Sequence, residues 1–369
     1  GIQKSISVKI PSTVNSITRR AFYNIKGELK VSIPQSVSVL GADAFENCSG
    51  LKEITIPAGV KTIDDCAFRG CVKLRKINVQ KGNRSYTAVK GALYTSDKTR
   101  LVQYPCGSPD KKFTLPAEVT SIGRCAFMGC GKLQSIQVAK GSGQFRSYDG
   151  VVYTSDGATL VVYPAGNSRK SYSVRKGVEK IGENAFYRCS SLTGVQLPNS
   201  VKVIGGNAFA QCAAFTKISL PSSVRQIESG AFSGCAKLNS VDFSDGLERI
   251  GKSAFRSCKL KKITLPKSLT RLEITAFSRC PVETVNFRGG KQRWNEIRTG
   301  EEGTIEKNVS SVFPSLRHLN LGYGCAASFS VQPKSAETVR GGRVTFRVSA
   351  GDADVSFQWY VRKADATGW

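Results

Sequence analysis

The chain has 369 residues, with 54 Lys and Arg against 27 Asp and Glu, one His and a formal net charge of +27. No run of 18 apolar residues occurs, so a membrane-spanning helix is excluded. A single histidine excludes a multi-histidine metal centre, and the surplus of positive charge favours anionic partners.

From the start of the chain to residue 289, one unit recurs nine times. Its core is Ala-Phe, at Phe22, Phe45, Phe68, Phe127, Phe186, Phe209, Phe232, Phe255 and Phe277. In eight copies a Cys follows three residues after the Phe: Cys48, Cys71, Cys130, Cys189, Cys212, Cys235, Cys258 and Cys280. Ile25 takes that place in the first copy. Most copies are 23 residues apart. A fixed period in the twenties is the mark of a solenoid, in which each unit buries its apolar side only against its neighbours.

Two spacings are nested in the unit. Ala208, Phe209 and Cys212 fall at i, i+1 and i+4, which predicts a short helical turn. Ile218 and Leu220 alternate with Ser219, which predicts a strand, and Pro221 ends it. The position between the two apolar strand residues reads Ser32, Thr55, Asn78, Gln137, Gln196, Ser219, Asp242, Thr264 and Asn286, so it is expected to face outward. A Gly four residues before the Phe (Gly41, Gly123, Gly182, Gly205, Gly251) suits a turn needing positive φ. The Phe rings are expected to form one spine and the strands one parallel sheet, spanning on the order of 40 Å over nine rungs.

Two insertions interrupt the period, at about 80–114 and 139–174. They are alike: Gly91, Tyr94, Asp97 and Tyr104 match Gly150, Tyr153, Asp156 and Tyr163. Their alternating apolar residues around a Ser-Asp turn predict β-hairpins, and insertions in solenoids project from one face. Two roles stay open: shielding or extending the core, or a ligand-contacting ridge carrying Tyr94, Tyr104, Tyr153 and Tyr163.

After residue 289 the period is lost. Gln292 to Ile297 reads as a short amphipathic helix, and Val312, Phe313, Leu316, Leu319 and Leu321 supply apolar cover, so 290–325 is read as a C-terminal cap. Residues 326–369, with Val344, Phe346, Val348 and Trp359, resemble the opening strands of an immunoglobulin-like domain, too short for a seven-stranded sandwich. Gly1 opens directly into Ile2-Gln3-Lys4, and a signal peptide is expected to have been removed.

The repeat, in its nine agreeing copies over about residues 10 to 289, resembles the BspA-like, or Treponema-type, leucine-rich repeats of bacterial surface antigens. The resemblance implies a leucine-rich-repeat solenoid of the α/β class, β-rich, on a secreted or cell-surface bacterial protein. It also implies adhesion as a role, without naming a ligand.

Basic residues recur at the two positions ahead of the strand: Lys52, Arg75, Lys76, Lys217, Lys261 and Lys262. If these positions stack, they form basic patches beside the sheet. Eight cysteines at one repeat position read as packed thiols. A linear stack does not converge on zinc, and no Cys-x-x-Cys occurs. Cys66 and Cys125 hold one position in two copies expected to be adjacent, so a disulfide between them is an open alternative. Cys106 and Cys325 have no assigned place. No nucleophile–base pair, phosphate loop or dinucleotide fingerprint is found, and His318 reads as packed or exposed.

The reading is therefore a non-catalytic extracellular scaffold with no cofactor and no metal. Its expected partner is a host extracellular protein, an anionic glycan or an envelope polymer. The alternative is a structural envelope module held electrostatically to the bacterium's own wall. Nucleic acid ranks low, since no recognised module is present.

Overall fold

A computed structural model describes residues 5–300 and 303–323; the immunoglobulin-like reading and Cys325 lie outside them. The chain winds as a parallel β-solenoid. Each repeat contributes one long and one short strand. Long strands pair in parallel register, as in Glu53–Ile56 with Lys76–Val79 and Lys217–Ser219 with Ser240–Asp242. Two-residue strands form a second ladder: Lys180–Ile181, Val203–Ile204, Gln226–Ile227, Arg249–Ile250 and Arg271–Leu272 are successive neighbours.

The Ala-Phe segment is a chain of turns rather than a helix. The reason lies in its hydrogen bonds. The N–H of Phe209 donates to the carbonyl of Ala231 on the next rung at 2.7 Å, and Phe186 and Phe232 do the same to Ala208 and Ala254. Backbone groups that a helix would satisfy internally are spent between rungs, so this corner is a third ladder. The second residue after each Phe has positive φ in all nine copies, from Asn24 at 62° to Arg279 at 58°. The repeat's glycines serve another purpose. Gly205 has ordinary φ, but a Cβ there would stand 2.7 Å from the Ile181 carbonyl. Those glycines allow close approach of the backbone, not a left-handed turn.

Within each run of uninterrupted repeats the rings stack, with centroids 4.8 Å apart for Phe186 and Phe209 and 5.1 Å for Phe209 and Phe232. The runs ending at Phe68 and at Phe127 are separate, so among the described residues the expected single spine is in three pieces. Phe313 continues the spine beyond Phe277 at 5.4 Å. The cysteines lie beside it. Ladder thiols donate to the carbonyl of the preceding rung's Phe, as Cys212 to Phe186, Cys235 to Phe209 and Cys280 to Phe255, at 2.8 to 3.0 Å, while Cys189 faces the Tyr163 carbonyl at 3.9 Å. A small side chain with a weak donor fits that place, which explains why Cys recurs there.

The insertions do not project. Each is a three-stranded antiparallel meander folded into the stack: Tyr86–Val89, Ala92–Thr95 and Arg100–Gln103 in the first, Phe145–Tyr148, Val151–Thr154 and Thr159–Val162 in the second. Two-residue turns with positive φ at both positions, Lys90-Gly91 and Asp149-Gly150, join the first two strands of each. The third strand of each takes a place in the short-strand ladder, Leu101 opposite Ile122 and Leu160 opposite Ile181. Tyr104 and Tyr163 then fill places in the spine, stacked on Phe127 at 5.5 Å and Phe186 at 5.0 Å. Each insertion is therefore an extra rung with Tyr in the Phe position.

The middle strands run through the interior, both faces buried. Leu93 packs in the core containing Phe45 and Phe68, while Ala92 and Tyr94 pack in the core of Phe127. Val152 joins the Phe127 core, and Val151 and Tyr153 join the core that runs from Phe186 to Phe313. Two transverse strands thus divide the expected single core into three.

Beyond the last repeat, helix Lys291–Asn295 buries Trp294 against Phe287, and helix Ile305–Val312 buries Ile305 and Val312. Strand His318–Leu321 adds to the long-strand sheet beside Thr284–Phe287, with His318 exposed. Asn286 departs from the outward pattern: it is 1% exposed and accepts from Asn320 at 2.8 Å.

Candidate binding surface

Lys52, Arg75, Lys76, Lys217, Lys261 and Lys262 are all exposed, at the leading edge of the long strands. The ladder fixes how they lie together. Arg75 N–H donates to the Lys52 carbonyl, so these two occupy neighbouring rungs. Lys76 stands opposite Glu53, Lys217 opposite Ser240, and Lys262 opposite Thr284. The six therefore share one edge but form separate groups, with Lys217 alone between Gly194 and Ser240. Lys52 also pairs with Glu28 at 3.0 Å, and that hydrogen bond holds the Glu28 carboxyl below its usual range.

Sequence reasoning missed part of this edge. The inserted rungs bring long strands of their own, Lys112–Leu115 and Ser171–Ser173. These place Lys111, Lys112, Arg169 and Lys170, all exposed, between the predicted groups. The signal was present in the sequence, but it is visible only once the insertions are recognised as rungs.

The four tyrosines of the alternative surface need correction. Tyr94, Tyr104, Tyr153 and Tyr163 are 2%, 4%, 0% and 2% exposed. Two line the transverse strands and two extend the spine, so none presents a ring to a ligand. Burial pushes the Tyr94 hydroxyl up to about 12, as expected of a phenol shut away from water.

Among the described residues two disulfides are formed. Cys66 and Cys125 are bonded with Cα atoms 5.0 Å apart. They are not on adjacent rungs, because the Tyr104 rung lies between. That rung is short at this corner: Tyr104 comes three residues after Leu101, whereas Phe127 comes five after Ile122. The corner loops on either side close over it and meet. Cys130, one of the eight expected thiols, is bonded to Cys106. In the second insertion Ala165 stands in the Cys106 place, and Cys189 stays a buried free thiol. Among the described residues no three His, Cys, Asp or Glu side chains gather as a metal site requires.

Residues 1–98, 104–148 and 165–283 match the family described as BspA type leucine rich repeat region, in six copies. No curated protein sequence matches the chain significantly. Among solved structures, a leucine-rich cell surface protein of Faecalibacterium prausnitzii is 28% identical, with a TM-score of 0.53 over 80% of this chain and 83% of that one. A leucine-rich repeat protein of Eubacterium ventriosum is 27% identical, with a TM-score of 0.47 over 74% of this chain and 76% of that one.

Proposed function

Since the chain belongs to the BspA-type leucine-rich repeat family, we propose that it is a binding scaffold of a bacterial surface protein whose long-strand edge holds an anionic partner. The observation that carries this reading is the edge itself. Cationic side chains recur there in exposed groups from Lys52 to Lys262, with Lys52 and Arg75 on neighbouring rungs. Rungs are roughly 4.8 Å apart, so a polymer with regularly spaced charges can meet several groups at once. A host protein with an acidic surface or a sulfated glycan has this chemistry. The similarity to a cell surface protein supports an extracellular location.

The second reading is a module held to the bacterium's own anionic wall, which the same charge favours. Heparin and isolated cell walls are the probes. Replacing Lys52, Arg75, Lys76, Lys217, Lys261 and Lys262 by Ser should weaken heparin binding at least tenfold, with thermal stability unchanged, because exposed positions carry little packing energy. Affinity should fall steeply with salt, as the Debye length is about 10 Å at 0.1 M. Heparin binding unaffected by the six changes would sink the edge as the site. Tighter, saturable binding to isolated walls than to host proteins would favour the second reading.

A further inference from the structure

The short-strand ladder carries a groove that neither the repeat pattern nor the basic edge accounts for. It is formed by two depressions of about 320 and 600 Å3 that share Arg124 and Glu183. The smaller has an apolar floor of Ile122, Met128, Val161 and Tyr187. Val161 lies in the short Tyr163 rung, where the corner loop present in other repeats is missing. Asp65 with Arg100, at 2.9 Å, and Glu183 with Arg124, at 3.7 Å, rim this floor as balanced pairs.

Charge balance is lost along the larger depression. Its carboxylates are engaged: Glu228 accepts from the Gly206 N–H at 2.9 Å and lies 3.8 Å from Lys180, and Glu273 accepts from Arg271 at 2.7 Å. Arg249 and Lys252 line the same wall, are exposed, and have no carboxylate within ion-pair distance among the described residues. Arg249 stands in register beside Arg271. Glu273 and the Gly300 carbonyl take the Arg271 guanidinium, so Arg249 is the member of this pair left without a counter-charge, and an anion in the groove would supply one.

We infer that this groove takes an extended acidic peptide segment of a partner protein, one large apolar side chain on the Val161 floor and carboxylates against Arg249 and Lys252. Spacing fixes the pattern. Four ladder steps separate the strand of Val161 from that of Arg249, or roughly 19 Å. An extended chain covers that distance in about six residues. A uniformly anionic polymer fits less well, because Glu183 and Glu228 line the path between the two ends.

A phage-displayed library of random twelve-residue peptides, selected against the purified chain, tests the assignment. Enriched peptides should carry an apolar residue and an acidic pair about six residues apart. By fluorescence anisotropy their affinity should fall at least tenfold for the Arg249→Ser/Lys252→Ser variant, whose exposed changes leave folding intact. It should also fall for Val161→Lys, and be unaffected by Lys261→Ser/Lys262→Ser. No enrichment, or peptides insensitive to the Arg249→Ser/Lys252→Ser variant, overturns the inference. Loss of binding only in the Lys261→Ser/Lys262→Ser variant assigns the peptides to the basic edge and also overturns it. Self-association by sedimentation that the Arg249→Ser/Lys252→Ser variant abolishes would place a second copy in the groove instead.

Discussion

Leu93 and Tyr94, neighbours in sequence, are buried in different hydrophobic cores. Strand alternation accounts for this: successive side chains point to opposite faces, and here both faces are covered. A strand that passes through a solenoid in this way limits how far a packing defect is felt. Leu93→Ala should cost about 2–5 kcal/mol, with faster hydrogen exchange at Ile54 and Ile77, whose side chains share the Leu93 core. Amides near Phe232 and Phe255 should keep their protection. Equal loss of protection along the whole chain would show that the three cores unfold as one.

The Phe spine sets the largest single-residue effects. Phe209 is fully buried and stacks on Phe186 and Phe232. Phe209→Ala should therefore destabilise by roughly 3–5 kcal/mol in urea unfolding. Phe22, half-buried at the first rung and stacked on one side by Phe45, should lose clearly less. A similar loss at both positions would contradict the stacking account.

The repeat glycines separate close approach from backbone strain. Gly205→Ala would push a Cβ to 2.7 Å from the Ile181 carbonyl, backbone that cannot swing aside. A loss of about 1–3 kcal/mol is expected. Gly131 has open space around it and no positive φ, so Gly131→Ala should be neutral or slightly stabilising through the unfolded chain. Thermal melts of the two variants give the comparison directly.

Much of this fold was legible in the sequence because each repeat position has one physical job. Buried Phe, polar Ser219 or Gln196 between inward strand residues, and strand-ending Pro221 could be read one by one. The insertions could not be placed the same way. Ala92, Leu93 and Tyr94 have the alternation of an exposed hairpin only if one face is taken as solvent, and nothing local states that both are covered. Tyr104 and Tyr163 substitute for Phe without the preceding Ala, so they escape the repeat alignment. The left-handed position after each Phe was hidden because Asn, Gly, Arg, Gln and Ser all occupy it. The groove at Val161 and Arg249 was invisible for a further reason: its ends lie far apart in sequence and meet only through the ladder.

The cysteines give the last test. Seven of the described cysteines are buried free thiols, and four form the two disulfides. Burial pushes the Cys48 thiol up to about 11 and raises Cys71 as well. The thiolate is the reactive form, so at pH 8 only on the order of one Cys48 side chain in a thousand is poised to react. Alkylation of the native protein followed by peptide mapping should leave Cys48, Cys71, Cys189, Cys212, Cys235, Cys258 and Cys280 unlabelled over minutes, then label all seven in denaturant. Cys66, Cys125, Cys106 and Cys130 should label only after reduction. Because the Cys66–Cys125 bond ties corner loops 59 residues apart across the Tyr104 rung, its reduction should destabilise the chain by about 2–4 kcal/mol. Labelling of Cys130 in denaturant without reductant would return it to the thiol ladder and remove the Cys106 bond from this description.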